Sequence, residues 1–185
     1  MRAGGPTQGK LLAGKVWRMT DTELTRERSY TWSDPALIAA EAMQMDGMAF
    51  FTAIAEGKIA PPPIAATMGM DALTVTAGEV VFSLMPQEFH YNPLGTMHGG
   101  AFATLLDSAC GCAVHSALPA GVFYTSLDLT VKFLRPVTTA TGRITATGTV
   151  THLGRRTALA EARITDAAGK LYATATSSCL IIRAE

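Results

Sequence analysis

Residues 89–107 read FHYNPLGTMHGGAFATLLD, and this stretch decides the fold because it joins a turn to the start of a long helix. An Asn-Pro pair at Asn92 is typical of a turn, and a glycine pair at Gly99 stands where the helix begins. Small and apolar residues continue to about Ala117, which predicts one helix over residues 99–117. A helix that is apolar nearly all round is buried on most sides, so we expect a sheet to wrap around it.

The sequence on both sides of this helix alternates between apolar and polar residues, which is the period of β-strands. One alternating region begins at Leu73 and includes residues 80–84, and four runs follow the helix. These runs are residues 127–133, 144–151, 157–164 and 171–182. Because their connections are short, they predict an antiparallel meander, and the whole order of elements predicts an α+β fold.

Two short helices are predicted before the sheet. The Ser-Asp-Pro sequence that begins at Ser33 combines a capping side chain with a proline suited to the first helical position. Good helix formers follow at residues 36–45, and a second helix over residues 48–55 is closed by Gly57. Three successive prolines at residues 61–63 then predict a stiff connector.

The chain has 185 residues, of which 48% are hydrophobic and 16% charged, so it is long and apolar enough for one folded domain. We predict that domain over residues 34–185, with the helices of residues 34–57 included, behind a flexible tail of residues 1–33. The first twenty residues carry four bases and no acid. A targeting segment, a native tail and a start that belongs at Met19 are all compatible with that composition.

The charge balance and the cysteine count exclude several classes of function. Fifteen basic and fifteen acidic side chains leave no net charge, whereas nucleic-acid-binding domains are usually basic. No run of eighteen apolar residues occurs, so no membrane insertion is predicted. Three cysteines make a poor disulfide framework and indicate a reducing compartment, so we expect a cytoplasmic protein. Cys110 and Cys112 point in different directions on a helix, and the four histidines show no zinc spacing, so no metal is expected.

Asp107 is the only Asp, Glu, Lys or Arg in the 39 residues 89–127, and it lies in the middle of the apolar helix. A carboxylate in such a place is costly unless it is hydrogen-bonded or belongs to a site. Two interpretations remain open. Asp107 is either a structural residue bonded to a hydroxyl of Thr104, Ser108 or Thr125, or it is a general base or nucleophile.

The start of the helix, His98-Gly99-Gly100, is the second candidate feature. Free N–H groups at a helix N-terminus favour negative charge on an oxygen, and glycines leave space for a ligand. The arrangement suits an oxyanion hole for a carbonyl or a thioester, and its alternative is a tight turn between a strand and the helix. Neither common phosphate-binding glycine motif is present.

Together with LDLTVKFLRP at residues 127–136 and GRR at residues 154–156, the opening stretch resembles the hotdog-fold acyl-CoA thioesterases of the PaaI type, which are related to phenylacetic acid degradation. The resemblance covers about residues 46–183. It implies a hotdog fold, in which an antiparallel sheet wraps around a long central helix. It also implies hydrolysis of an acyl-CoA thioester to free acid and CoA, and it leaves aromatic and medium-chain acyl groups open.

The resemblance implies roles for single residues as well. Asp107 matches the carboxylate that activates the attacking water, and Gly99 matches the residue whose N–H polarises the thioester carbonyl. The histidine of the motif, His98, would position the thioester, and Asn92 would help to hold water or the carbonyl. A hydroxyl beside the carboxylate would come from Thr125 or Ser126.

Coenzyme A carries phosphates, which require donors at the mouth of the site. Arginine suits phosphate through its forked geometry. The predicted substrate-binding and CoA-binding residues are Gly100, Arg135, His152, Arg155 and Arg156. No separate cofactor is expected, because CoA is part of the substrate.

The spacing of Gly99 and Asp107 predicts self-association. Eight residues on one helix separate them by ~12 Å along the helix axis, and one thioester carbonyl cannot contact both on the same chain. We therefore predict a homodimer with two shared sites, each built from the helix N-terminus of one chain and Asp107 of the other. The resemblance implies the same arrangement, with two dimers often forming a tetramer.

Two alternative functions remain at this stage. One is a non-catalytic acyl-CoA-binding protein of the same fold. The other is a hotdog hydratase or dehydratase, a chemistry that usually requires a histidine and an acid facing one another.

Overall fold

The computed structural model describes residues 26–183. In chain order the elements are α1 (Pro35–Gln44), α2 (Gly47–Ala55), α3 (Pro63–Met68), β1 (Met70–Thr76), β2 (Glu79–Leu84), α4 (Gly99–Ser116), β3 (Val122–Ser126), β4 (Thr130–Phe133), β5 (Ile144–Leu153), β6 (Thr157–Asp166) and β7 (Leu171–Arg183). The predicted α+β arrangement is confirmed, since one curled sheet packs around the long helix α4 with extra helices before it.

The sheet has seven strands, and all of their pairings are antiparallel. Its strand order is β1-β2-β5-β6-β7-β3, and β4 pairs with the other half of β7. The predicted four-stranded meander is therefore confirmed for β5-β6-β7 and wrong for its first strand, because β4 pairs with β7 and β5 pairs with β2 instead. Long-range pairing between β2 and β5 places α4 against the inside of the sheet, because the helix lies in the connection between them.

The predicted strand over residues 127–133 is wrong in its bounds, because the edge of the sheet is broken there into β3 and β4. The Asp128 carboxylate accepts hydrogen bonds from the backbone N–H of Ser178, at 3.0 Å, and from the Ser178 hydroxyl. Between β3 and β4 these side-chain bonds take the place of the backbone hydrogen bonds that a continuous strand would make with β7. The predicted half-buried face is confirmed in its middle, where Leu129 and Val131 pack partly buried against the core. It is wrong at its ends, since Leu127 is 58% exposed and Phe133 is 56% exposed in the single chain.

The core lies between α4 and the concave face of the sheet, and small residues let the helix approach closely. A Cβ atom at Gly148 of β5 would stand 2.1 Å from the carbonyl oxygen of Ala109 in α4. A Cβ atom at Gly111 of α4 would stand 2.4 Å from the hydroxyl of Tyr124. Larger side chains at either glycine would push the helix away from the sheet.

The helix α4 is less completely buried than its composition predicts. Leu105, Leu106 and Ala109 are fully buried, as expected for a core helix. Gly100 and Asp107 are exposed, so one stripe of the helix faces out of the single chain. The helix is thus buried against the sheet on one side and open on the other.

The N-terminal helices begin and end where the sequence indicates, with one addition. Side chains of Asp34 and Asp46 cap α1 and α2 by accepting hydrogen bonds from backbone N–H groups, at 2.9 and 2.8 Å. The third helix, α3, was not predicted, because three successive prolines indicate a stiff connector. Pro63 occupies its first helical position, where a proline costs no hydrogen bond.

Residues 26–33 have no regular structure but contact the domain. The Arg28 guanidinium donates hydrogen bonds to the carbonyl oxygens of Ala66 and Thr67 and lies 3.9 Å from the ring centroid of Phe89. The basic first twenty residues and Met19 lie outside the described residues. The boundary between a tail and a domain at residue 33 therefore stays a prediction.

His90 anchors the segment that leads into α4. Its Nδ1 accepts a hydrogen bond from the backbone N–H of Gln87 at 3.0 Å, and its Nε2 lies 2.8 Å from the carbonyl oxygen of Met68. The backbone N–H of His98 donates to the carbonyl oxygen of His90 at 2.8 Å. Burial lowers the pKa of His90, which favours the neutral ring that these bonds require. The start of α4 is thereby held in place by a structural histidine.

Gly148→Ala is expected to lower the free energy of unfolding by about 3 kcal/mol or more, because the new methyl group meets backbone atoms of α4 that cannot rotate away. Thr147→Ala is the matched control on the other face of β5, with an expected change within about 0.5 kcal/mol. Urea unfolding of both variants measures the difference. Equal stabilities would show that α4 can move away from the sheet at little cost.

Candidate active site

The N-terminus of α4 presents one free backbone amide. His98 is the N-cap residue, and its Nδ1 accepts a hydrogen bond from the backbone N–H of Gly100 at 2.8 Å. In the neutral ring the proton is then on Nε2, which becomes a donor. The backbone N–H of Gly99 has no hydrogen-bond acceptor among residues 26–183. Gly99 therefore offers an N–H at the positive end of the helix dipole, whereas the N–H of Gly100 is already used.

Asn92 shapes the loop before the helix. Its side-chain oxygen accepts hydrogen bonds from the backbone N–H groups of Leu94, at 2.9 Å, and Thr96, at 3.3 Å. Its side-chain nitrogen donates to the Thr96 hydroxyl at 3.0 Å. These bonds use most of the capacity of the Asn92 amide, so the structure shows Asn92 as a loop-forming residue beside the free amide.

We call the cavity at this end of α4 the amide cleft. Its volume is about 360 Å³, and it is lined by Asn92, Thr96, Met97, Gly99, Phe102, Phe133, Leu134, Arg135 and Pro136. The Phe133 ring lies against the helix start, because a Cβ atom at Gly99 would stand 3.2 Å from it. One guanidinium nitrogen of Arg135 donates to the carbonyl oxygen of Leu171 at 2.6 Å, which fixes the side chain at the cleft.

Asp107 lines a second cavity, which we call the carboxylate cleft. The Ser126 hydroxyl donates a hydrogen bond to Asp107 Oδ1 at 3.0 Å. Thr125 precedes Ser126 on β3, so its side chain lies on the opposite face of the sheet. The structure thus places Ser126, of the two predicted hydroxyls, beside the carboxylate. In the part of the chain that the structure describes, Thr104 donates instead to the carbonyl oxygen of Gly100.

The carboxylate cleft has a volume of about 380 Å³ and is lined by Ala103, Thr104, Asp107, Ser126, Leu127, Asp128 and Leu129. It shares no lining residue with the amide cleft. The two predicted catalytic groups of one chain therefore lie in different cavities, at opposite ends of the exposed stripe of α4. This separation agrees with the ~12 Å that eight helical residues span.

A third cavity, which sequence reasoning missed, lies on the other side of Asp107. Its volume is about 640 Å³, and α2, α3, β1, β2 and α4 contribute its walls. We call it the apolar cavity, since Phe50, Phe51, Ile54 and Phe82 are among its lining residues. The apolar sequence of α2 is a signal for it, but the sequence alone does not show that α2 stands beside Asp107.

The cysteines near Asp107 are not nucleophiles in this structure. Burial raises the pKa of both Cys110 and Cys112 to about 12, so their thiols are protonated at neutral pH. Among residues 26–183 no group of three or more metal-ligating side chains occurs, and no helix is long and apolar enough to cross a membrane.

The structure does not bring the other predicted phosphate-binding residues to either cleft. His152, Arg155 and Arg156 are exposed at the connection between β5 and β6, and none of them lines the three cavities. Arg135 lies in the amide cleft instead. A contact of His152, Arg155 and Arg156 with CoA remains a prediction.

Residues 94–173 match a family model described as the Thioesterase superfamily. The chain is 28% identical over 105 residues to 1,4-dihydroxy-2-naphthoyl-CoA hydrolase of Listeria monocytogenes, which corresponds to 57% of this chain and 84% of that protein. It is 44% identical over 69 residues to a provisionally named esterase of Halobacterium salinarum. That match covers 36% of this chain and only 44% of the length of the relative.

Solved structures of the same fold are also similar. The E. coli PaaI protein from the phenylacetic acid degradation operon superposes with a TM-score of 0.63 and 25% identity, over 74% of this chain and 95% of that chain. A thioesterase family protein from Silicibacter pomeroyi superposes with a TM-score of 0.64 and 25% identity, over 72% of this chain and 99% of that chain. The fold implied by the opening motif is confirmed by these neighbours.

Proposed function

We propose that the chain is a member of the hotdog-fold thioesterase superfamily and that it hydrolyses an acyl-CoA thioester to a free acid and CoA, which the family-model match and the similar structures support. The observation that carries the proposal is the pairing of a free amide and a carboxylate on one helix. Gly99 offers an unused N–H at the helix N-terminus, and Asp107 offers a carboxylate oriented by the Ser126 hydroxyl. Hydrolysis of a thioester requires both an oxyanion donor and a base.

The chemistry follows from these two groups. The Asp107 carboxylate accepts a proton from a water molecule while the water oxygen attacks the thioester carbon. The carbonyl oxygen becomes negatively charged and is stabilised by the Gly99 N–H, which is worth about 3 kcal/mol in comparable oxyanion holes. The carbon–sulfur bond then breaks, and the proton held by Asp107 passes to the departing CoA thiolate. The Nε2–H of His98 can orient the substrate at the same helix end.

We infer that one active site uses two copies of the chain. The amide cleft and the carboxylate cleft of a single chain are separate, and exposed apolar side chains lie near them at Leu127, Phe133 and Leu134. A twofold dimer can place the amide cleft of each chain against the carboxylate cleft of its partner. The same contact covers the exposed stripe of α4 and the apolar residues of the sheet edge. Assembly of two such dimers into a tetramer stays a prediction.

In this arrangement Arg135 is the best-placed residue for a CoA phosphate, because it already lies in the amide cleft. Only one of its guanidinium nitrogens bonds to the Leu171 carbonyl oxygen, so the other N–H groups can bond to a phosphate. Hydration or dehydration is less consistent with the site. That chemistry needs a histidine that can exchange a proton with the substrate opposite an acid. His98 already uses Nδ1 to cap α4, so its neutral ring offers only an N–H donor at Nε2.

Asp107→Asn is expected to lower kcat by about a hundredfold or more, the scale of losing a general base, with little change in stability. The measurement is release of free thiol from a panel of aryl-CoA and alkyl-CoA esters. Asp34→Asn is the matched control, because it makes the same chemical change at a distant N-cap where Asn serves equally well. Binding without hydrolysis by the wild-type protein would instead indicate an acyl-CoA-binding protein.

Gly99→Pro tests the free amide directly, since proline removes the N–H and is favoured at the first helical position. The preceding residue, His98, has a ψ of 142°, the extended conformation that a following proline prefers. We expect kcat to fall about a hundredfold or more. Gly99→Ala keeps the N–H and is expected to retain most of the activity, because only the movable Phe133 ring must adjust. Equal losses in both variants would argue against the amide.

Co-expression of the Asp107→Asn and Gly99→Pro chains tests the shared site. Each mixed dimer contains one site with an intact amide and an intact carboxylate, so a random mixture recovers about a quarter of the wild-type activity. Each variant expressed alone is the control. Activity that does not rise above that of the two variants alone would contradict a site built from two chains.

A further inference from the structure

The apolar cavity is large enough for a substrate group and opens beside the proposed catalytic carboxylate. Its volume of about 640 Å³ falls in the range of small-molecule pockets, which are mostly apolar with a few placed polar groups. Asp107 lines both this cavity and the carboxylate cleft. An acyl group whose carbonyl is at Asp107 can therefore extend into the apolar cavity.

The cavity runs along one face of α4. Ser108, Cys112 and His115 line it, and their spacing of four and three residues places them on the same side of the helix. From Asp107 to His115 the helix rises ~12 Å, and we call the part of the cavity beside His115 its far end. The far end of a bound acyl group consequently lies beside His115.

His115 is a polar residue of the cavity wall whose ring nitrogens have no hydrogen-bond partner among the described residues. The residue is 9% exposed, and its ring packs against Phe51 at 5.4 Å, Phe50 at 5.6 Å and Tyr124 at 5.8 Å between ring centroids. No hydrogen bond to its ring nitrogens occurs among residues 26–183, in contrast to His90, whose two nitrogens both have backbone partners. Among the described residues no buried side-chain nitrogen or oxygen lacks a hydrogen-bond partner. The unpartnered ring nitrogens of His115 therefore reach accessible space at the cavity, where a ligand or a water molecule can bond to them.

The far end of the cavity is polar but uncharged. Burial lowers the pKa of His115, so its ring is neutral at physiological pH and has one N–H donor and one acceptor nitrogen. The neighbouring Cys112 thiol is protonated, since burial raises its pKa to about 12. Asp71, which also lines the cavity, is already paired with Arg143 and with the Ser83 hydroxyl. Among the described residues that line the cavity there is no Lys or Arg to balance a negative charge.

We propose that the apolar cavity holds the acyl group and that His115 hydrogen-bonds an uncharged polar group, such as a hydroxyl, at its far end. His115 is then the specificity-determining residue of the chain, and the substrate class is an acyl-CoA with an apolar body and a neutral polar end. An acyl group that ends in a carboxylate is excluded, because its charge would be buried without a partner. The inference rests on the proposed hydrolysis of acyl-CoA.

The walls that select the acyl group belong to α2 and α3, outside the segment that matches the family model. Gly47 sets their position, because its backbone N–H donates to the carbonyl oxygen of Leu118 at 3.0 Å and a Cβ atom there would stand 1.8 Å from the carbonyl oxygen of His115. The first turn of α2 therefore packs directly on the end of α4 that carries His115. This contact makes the far end of the cavity a rigid boundary.

The test compares three CoA esters of equal chain length, namely octanoyl-CoA, ω-hydroxyoctanoyl-CoA and suberyl-CoA. For the wild-type protein we expect kcat/KM to be at least about tenfold higher with the hydroxyl ester than with the octanoyl ester, the size of one net hydrogen bond. The suberyl ester is expected to be the poorest. Equal kcat/KM values for the octanoyl and hydroxyl esters would overturn the proposal.

Two variants separate recognition from folding. His115→Phe keeps a ring without nitrogens, so we expect the ratio of kcat/KM for the hydroxyl ester to kcat/KM for octanoyl-CoA to fall from about ten or more to about one. His115→Gln keeps a hydrogen-bonding amide and is expected to retain part of the preference. An unchanged preference in His115→Phe would contradict the role of His115.

Calorimetric binding of the same esters to Asp107→Asn and to the wild type distinguishes this inference from the proposed function. Hydrolysis without a preference overturns the role of His115 and leaves the thioesterase proposal standing. Absence of hydrolysis with tighter binding of the hydroxyl ester, lost in His115→Phe, overturns the thioesterase proposal and supports the cavity assignment. If the protein neither hydrolyses the esters nor binds the hydroxyl ester more tightly, both the thioesterase proposal and the role of His115 are overturned.

Discussion

The close contact between α4 and the curled sheet is the constraint on which the rest of the structure depends. At Gly148 the strand approaches the backbone of Ala109 so closely that no side chain fits between them. Because one side of α4 is held in the sheet, its other side becomes a fixed outward stripe. Helix geometry alone then sets the distance between Gly99 at the start of the helix and Asp107 near the middle of the helix.

The helix α4 supplies both catalytic groups of the proposed reaction, an oxyanion donor and a general base. Its N-terminus supplies a dipole and a free amide, and its middle supplies a carboxylate, but one chain cannot bring them to the same carbonyl. The apolar residues at the sheet edge, such as Leu127 and Phe133, are unfavourable in water and favour covering by a second copy. Dimerisation would thus bury these exposed apolar residues and complete the active site at the same time.

Some errors of the sequence-based predictions have clear physical causes. Alternation over residues 127–133 indicates one strand, but Asp128 bonds to Ser178 on β7 and breaks the edge, a tertiary contact that periodicity cannot reveal. The prolines before α3 indicate a connector because proline is compatible with both an extended segment and a first helical turn. The apolar composition of α4 predicts burial on most sides, whereas the single chain leaves one stripe open.

The sequence by itself determined the order of elements, the caps of the helices and the isolated position of Asp107, because these depend on residues close together in the chain. Only the tertiary structure decided that Ser126 rather than Thr125 reaches the carboxylate, since that choice depends on which face of β3 meets α4. It also decided that α2 lies beside His115 and encloses a cavity. Such contacts join segments distant in sequence, and their geometry is set by packing rather than by any local pattern.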